Sequence, residues 1–158
     1  LQIKERKIQM AEKPINEIRV RFPSLSVNER FARLAISGFV GLYDPRIDDL
    51  NDIKTAVSEA VTNCIVHAYR GTVGEIELTA KAYSSGLIYI RIKDKGCGIE
   101  DVKKAMEPLF TTQPDEERSG LGFSVMESFC DRVDVKSKPG AGTTVVLCKK
   151  LRSKLSMK

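Results

Sequence analysis

Apolar residues recur along this chain with two periods, and the changes of period mark out its elements. Ile18, Val20 and Phe22 alternate with Arg19 and Arg21, the two-residue period of a half-buried strand, which Pro23 closes. Ser26 or Asn28 then caps a helix running through Phe31, Leu34, Ala35 and Phe39, with Gly38 a weak point and Gly41 near its end. The longest helix is predicted after Pro45, from Asp48 to Tyr69. With Glu59 at the origin and about 100° per residue, Leu50, Ile53, Val57, Ala60, Val61, Cys64 and Ala68 fall between about 100° and 200°, forming one apolar face. Thr55, Glu59 and Asn63 lie within about 40° of the origin on the opposite side, and His67 follows one turn later at about 80°.

Gly71 and Gly74 stop this helix. Strands are predicted over Glu75 to Ala82 and Leu87 to Lys93, joined as a hairpin through Ser84-Ser85-Gly86. A glycine-rich turn, Asp94-Lys95-Gly96-Cys97-Gly98, leads into a short helix from Glu100 to Glu107. Residues 108–119 form a polar loop with prolines at 108 and 114, long enough for a compact domain to use it as a lid. Ser119-Gly120-Leu121-Gly122 opens a helix carrying Val125, Met126 and Phe129. Strands over Arg132 to Ser137 and Thr143 to Cys148 flank a turn at residues 139–142. These elements predict a two-layer α/β sandwich: a mixed, mostly antiparallel sheet with its helices on one face. Residues 1–14 read as a polar leader, 15–150 as one domain and 151–158 as a basic tail.

Composition narrows the class. Hydrophobic residues make up 42% and charged residues 30% of the 158, ordinary for a globular chain and too apolar for a disordered one. No apolar run approaches the roughly 20 residues that span a bilayer, and a cytoplasmic protein without membrane contact is expected. The net charge of +5 is concentrated at the ends, in Lys4, Arg6, Lys7 and Lys13 and in Lys149, Lys150, Arg152, Lys154 and Lys158, read as solvated tails; no nucleic-acid module accompanies them. Cys64, Cys97, Cys130 and Cys148 stand singly and are expected to be reduced and mostly buried.

Taken singly, the candidate motifs have plain structural readings. Glu59 and Asn63 at i, i+4 make an ordinary solvated ridge, and the D-K-G-C-G turn an ordinary strand–helix connection. Glycines before a helix let the backbone approach a ligand whose phosphate suits the helix's unpaired N–H groups and positive dipole end. In combination they are more specific. E-A-V-T-N-C-I-V-H on a helix, D-x-G-x-G after a strand, a polar lid closing on S-G-L-G-F, and G-T-T in a final strand together resemble the GHKL superfamily of ATPases and kinases, over residues 16–150. Within it, V-S-E-A-V-T-N-C-I-V-H-A-Y, P-L-F-T-T-Q-P, E-R-S-G-L-G-F-S-V-M-E and N-E-R-F-A-R look like the sporulation branch of anti-sigma serine kinases.

That resemblance implies an ATP/ADP site with Mg²⁺. Glu59 is the expected general base, and Asn63 the Mg²⁺ ligand through its amide oxygen. Asp94 is expected to accept from the adenine amino group, with Gly96 and Gly98 beside the base and Thr143 supporting them. Thr111, Thr112 and Arg118 on the lid, with Ser119, Gly120, Leu121 and Gly122, are expected at the phosphates. His67 reads as a helix-end residue satisfied locally, and Arg33 as a partner contact. The implied partners are a sporulation sigma factor (sigma F), which the protein sequesters, an anti-anti-sigma factor phosphorylated on serine, and a second copy in a homodimer. Two alternatives stay open: a stress-response anti-sigma kinase and a nucleotide-switched sigma binder without kinase activity; a gyrase-like or MutL-like ATPase, which needs a second domain, is not expected in 158 residues. A complete sensor histidine kinase would need a phosphoacceptor histidine and its helical hairpin, and neither is recognisable here.

Overall fold

The computed structural model describes residues 12–107 and 122–152. Five strands form one sheet: β1 (Asn16–Pro23), β2 (Glu75–Ala82), β3 (Leu87–Asp94), β4 (Arg132–Lys138) and β5 (Gly142–Lys150), in the order β1-β2-β3-β5-β4. Each of the four junctions is antiparallel, so the sheet is antiparallel throughout its described part rather than mixed. The register places Phe22 opposite Ile76, Leu78 opposite Ile92 and Ile90 opposite Leu147, which gathers every second residue onto one apolar face. Arg21, Glu77 and Arg91 share the other face, where Glu77 accepts from both arginines at 2.8 and 3.1 Å.

The apolar face is covered by α1 (Val27–Gly41), α2 (Ile47–Asn63) and α4 (Gly122–Phe129). From α2, Ile53, Val57, Ala60 and Val61 are all at most 1% exposed, as the helical count predicts. Each buried aliphatic side chain of this kind contributes roughly 1.5–3 kcal/mol. The expected face of α1 is corrected. Ala32, Ile36, Phe39 and Val40 point inward, whereas Phe31 and Leu34 are 45% and 66% exposed. The helix carries two apolar stripes, and the one through Ala32, Ile36 and Val40 lies against α2 and the sheet. Phe31 keeps only an edge contact with Phe22, ring centroids 5.8 Å apart.

The long predicted helix continues to Ala68, but its last turn, Cys64–Ala68, is a π-helix in which the Tyr69 N–H reaches the Cys64 carbonyl at 3.2 Å. Such widened turns recur at functional sites. The short helix α3 is trimmed to Val102–Ala105, where Asp101 caps it by accepting from the Lys104 N–H at 3.1 Å.

The reading of the C-terminal basic residues as solvated is also corrected. Arg152 donates from its backbone N–H and its guanidinium to Asp49, 2.8 and 3.0 Å away, and Lys149 pairs with Asp52 at 3.1 Å. Asp49, at the start of α2, is 1% exposed. Burial works to raise its carboxyl, but the Arg152 bonds and charge, with Lys149 behind, outweigh that and hold it below its ordinary value. The end of β5 is thereby fastened to α2. Among the described residues no helix is long and apolar enough to cross a membrane.

Candidate functional site

A cavity of about 740 Å³ opens between the α2–π-turn segment, the loop after β3, α3 and the start of α4. Ala60, Ala68, Ile99, Phe123 and Val145 give it apolar walls; Asn63, His67, Arg70, Asp94, Lys104 and Thr143 bring polar groups to it. An apolar cleft with a few convergent polar groups is the usual form of a small-molecule site.

Asp94 lies at one end of this cleft. It ends β3 in the alternation Ile88, Ile90, Ile92, Asp94, so the two-residue period that buries the isoleucines turns this carboxylate inward too. It is 4% exposed. Its Oδ1 accepts from the Gly96 N–H at 2.9 Å and the Thr143 N–H at 3.2 Å, and its Oδ2 accepts from the Cys64 thiol at 3.5 Å. Burial raises the Asp94 carboxyl above its ordinary value, while these three donors pull it back. Burial and the neighbouring carboxylate together push the Cys64 thiol well up, so sulfur keeps its proton and is the donor.

The loop that carries Asp94 is held from several sides. The Tyr69 hydroxyl donates to the Glu75 carbonyl at 2.6 Å and accepts from the Lys95 N–H at 2.7 Å. The Cys97 N–H reaches the Ala68 carbonyl at 3.0 Å. Gly98 has φ +73°, and a Cβ there would overlap the Lys138 carbonyl, so the second glycine of the turn is required by conformation and by space. Thr143, 8% exposed, shares a hydrogen bond with Ser137 at 2.8 Å.

The start of α4, which also lines the cavity, packs against α2. An added Cβ on Gly122 would sit 3.2 Å from both amide atoms of Asn63 and 3.5 Å from Glu59 Oε2. The predicted pair on α2 and the predicted glycine are therefore brought together, and a side chain at 122 would press on the Asn63 amide. Asn63 lines the cavity; Glu59 stands just beside it. His67, expected to serve only the helix end, lines the cavity as well, and its carbonyl accepts from Arg70 and Cys97, each at 3.3 Å. Cys97, expected to be buried, is exposed. Thr111, Thr112, Arg118, Ser119, Gly120 and Leu121 lie outside the described residues.

Arg33 is remote from the cavity. Its guanidinium pairs with Glu29 at 2.8 Å, one helical turn away, and Glu29 accepts from the Ser58 hydroxyl at 2.5 Å. These residues edge a separate hollow of about 350 Å³ between α1 and α2. Reading the sequence missed Cys64, Arg70 and Lys104 as cavity groups. The π-helical turn, which has no sequence pattern of its own, helps bring the first two there.

Residues 22–149 match the family described as the histidine kinase-like ATPase domain. The chain is 51% identical over 139 residues to an anti-sigma F factor of a Thermoanaerobacter species, covering 87% of this chain and 96% of that protein. The chain belongs to the anti-sigma F factor family. An anti-sigma F factor of Clostridium beijerinckii is 49% identical over 135 residues, covering 85% of this chain and 94% of that protein, and one of Bacillus licheniformis 44% over 136, covering 86% and 93%.

Solved structures agree at the level of fold. The RsbU and RsbW domains of Rv1364c from Mycobacterium tuberculosis superpose with a TM-score of 0.65 at 20% identity, over 87% of this chain and 32% of that one. This chain thus spans about a third of that protein. The catalytic domain of histidine kinase ThkA superposes with a TM-score of 0.53 at 14% identity, over 85% of this chain and 96% of that domain. The architecture is that of kinase-type ATPase domains, and membership of such a family implies ATP or ADP as ligand.

Proposed function

We propose that the protein is an anti-sigma factor and ATP-dependent protein serine kinase, holding a sporulation sigma factor (sigma F) and phosphorylating its anti-anti-sigma antagonist on serine. One observation carries this reading beyond family membership: Glu59 and Asn63 stand together against the bare backbone of Gly122, and Asn63, Gly122 and the buried carboxylate of Asp94 line one cavity. An acceptor for a base amino group and a carboxylate–amide pair are the groups that a nucleoside triphosphate and its acceptor require.

The residues present fit the implied groups. A cavity of about 740 Å³ accommodates a nucleotide. Asp94 Oδ2 offers an acceptor lone pair that its thiol contact leaves over. No cluster of three His, Cys, Asp or Glu side chains among the described residues could hold a metal on protein ligands alone. Asn63 is a single oxygen ligand, which suits Mg²⁺, a hard cation that draws its remaining oxygens from phosphates and water. When bound, the ion neutralises phosphate charge in phosphoryl transfer.

Glu59 then orients the serine hydroxyl of the partner and takes its proton. The γ-phosphoryl leaves the ADP oxygen and joins the serine oxygen. Gly122, without a side chain, leaves the Asn63 amide unhindered beside the helix start. On α1, Arg33 and its pair with Glu29 supply a charged contact for the protein partners, and a homodimer is the assembly the family suggests. The cytoplasm, where these partners act, is the proposed location.

The test is to incubate the purified chain with labelled ATP, Mg²⁺, the sigma factor and the anti-anti-sigma factor. Label on a partner serine is the expected result. Label released only as inorganic phosphate would make the protein an ATPase, and sigma binding without any turnover would make it a switched binder.

A further inference from the structure

We infer that Cys64 is a positioning residue for base recognition: its thiol fixes the orientation of the Asp94 carboxylate and so sharpens selection for a purine that carries a 6-amino group. This rests on the reading of the cavity as an adenine-nucleotide site.

The inference follows from counting acceptor sites. A carboxylate has two oxygens, each with two lone pairs. Oδ1 of Asp94 is used by the N–H groups of Gly96 and Thr143, at 2.9 and 3.2 Å. Oδ2 has one described donor, the Cys64 thiol at 3.5 Å, and its remaining lone pair is the only acceptor site that Asp94 has left for a ligand in the cavity. The direction of that lone pair depends on the twist of the carboxylate about its Cβ–Cγ bond. Two N–H groups converging on Oδ1 fix that atom's place but resist the twist weakly; a third donor on Oδ2 defines the plane.

Cys64 is well built for this task. It is 4% exposed, its sulfur lies 3.5 Å from Asp94 Oδ2, and it opens the π-helical turn directly after Asn63. Its own N–H is shared between the Ala60 and Val61 carbonyls, and its carbonyl accepts from Tyr69. The backbone that places the phosphate-end amide therefore also places the thiol that orients the base-end carboxylate. A well-aimed acceptor rewards a 6-amino group and penalises a 6-oxo group, which would set acceptor against acceptor.

The test compares Cys64→Ala and Cys64→Val, which lack the donor, with Cys64→Ser, which keeps one. Calorimetry measures binding of ADP and of purine riboside diphosphate, which has no 6-amino group, and thermal unfolding establishes that each variant is folded. The expected result is ADP affinity reduced about 3- to 10-fold in the Ala and Val variants, the size of one modest hydrogen bond, with purine riboside diphosphate affinity unchanged and the Ser variant restoring most of the preference. Equal weakening of both ligands would show that Cys64 only packs, and unchanged ADP affinity would remove it from recognition; either overturns the inference. Asp94→Asn in the same assay separates the two levels: if it retains full ADP affinity, the adenine-site reading itself fails.

Discussion

Replacing Asp94 by Asn should weaken nucleotide binding while leaving the nucleotide-free fold as stable as before or more so. The side chain keeps its size, and an Asn carbonyl oxygen can still accept from the Gly96 and Thr143 N–H groups that now converge on Oδ1. The other oxygen becomes NH₂, which offers a donor to the adenine amino group where an acceptor is needed. Loss of a hydrogen bond to a charged group amounts to about 1.5–3 kcal/mol, or roughly 10- to 100-fold in ADP affinity.

Stability should move the other way. Burial is the largest influence on the Asp94 carboxyl and raises it above its ordinary value despite three donors. A carboxyl raised in the folded state stabilises the fold fully below its unfolded pKa, and that contribution is lost as pH rises through the folded pKa. At neutral pH the native carboxylate is therefore a net cost that Asn does not incur. The thermal midpoint of Asp94→Asn at pH 7 should equal or exceed that of the parent chain, and the difference should vanish below the ordinary carboxylate range. Calorimetric titration with ADP and thermal unfolding from pH 3 to 8 measure both. Full ADP affinity, or a midpoint several degrees lower at pH 7, would refute the reasoning.

Three further outcomes are expected. Gly122→Ala should lower the Mg²⁺-dependent part of ATP affinity, because the new methyl group meets the Asn63 amide at 3.2 Å and the amide must shift to admit it. Titrations with and without Mg²⁺ check this. Arg152→Ala should lower the midpoint at pH 7 by leaving the buried Asp49 without its guanidinium, and the deficit should shrink as acid protonates Asp49, whose carboxyl is held below its ordinary value and whose contribution is lost as pH falls. Arg33→Ala should weaken binding of at least one protein partner with ADP affinity unchanged, and losing its half-buried pair with Glu29 should cost the fold about 1 kcal/mol or less.

Where local chemistry decides structure, the chain is readable. The alternation of Ile18, Val20 and Phe22 gave β1 to within two residues, and the apolar stripe of α2 is buried as the 100° count requires. The D-K-G-C-G turn is legible because Gly98 needs a positive φ that the sequence announces with glycine. What was not legible depends on partners distant in the chain. The choice between the two stripes of α1 is made by the shape of α2 and the sheet. The bond from Arg152 to Asp49 spans 103 positions, and nothing near either residue signals it. The π-turn at Cys64–Ala68 reads as plain helix in sequence, so the approach of Cys64 to Asp94 emerges only from the structure. Asn63, Asp94 and Gly122 stand out in the sequence because each sits at an element boundary, where asparagine, aspartate and glycine have specific uses, and all three line the cavity.

The most direct test of the central claim is the rate of phosphoserine formation on the anti-anti-sigma partner, by the parent chain and by Glu59→Gln, with ADP affinity measured on the same preparations. Gln preserves size and helix propensity but cannot take a proton from serine. The account predicts transfer by the parent chain, a fall of about 10²- to 10⁴-fold in the variant, and ADP affinity unchanged in both. Equal rates of serine phosphorylation in the two proteins, or no phosphoserine from the parent chain at all, would contradict it.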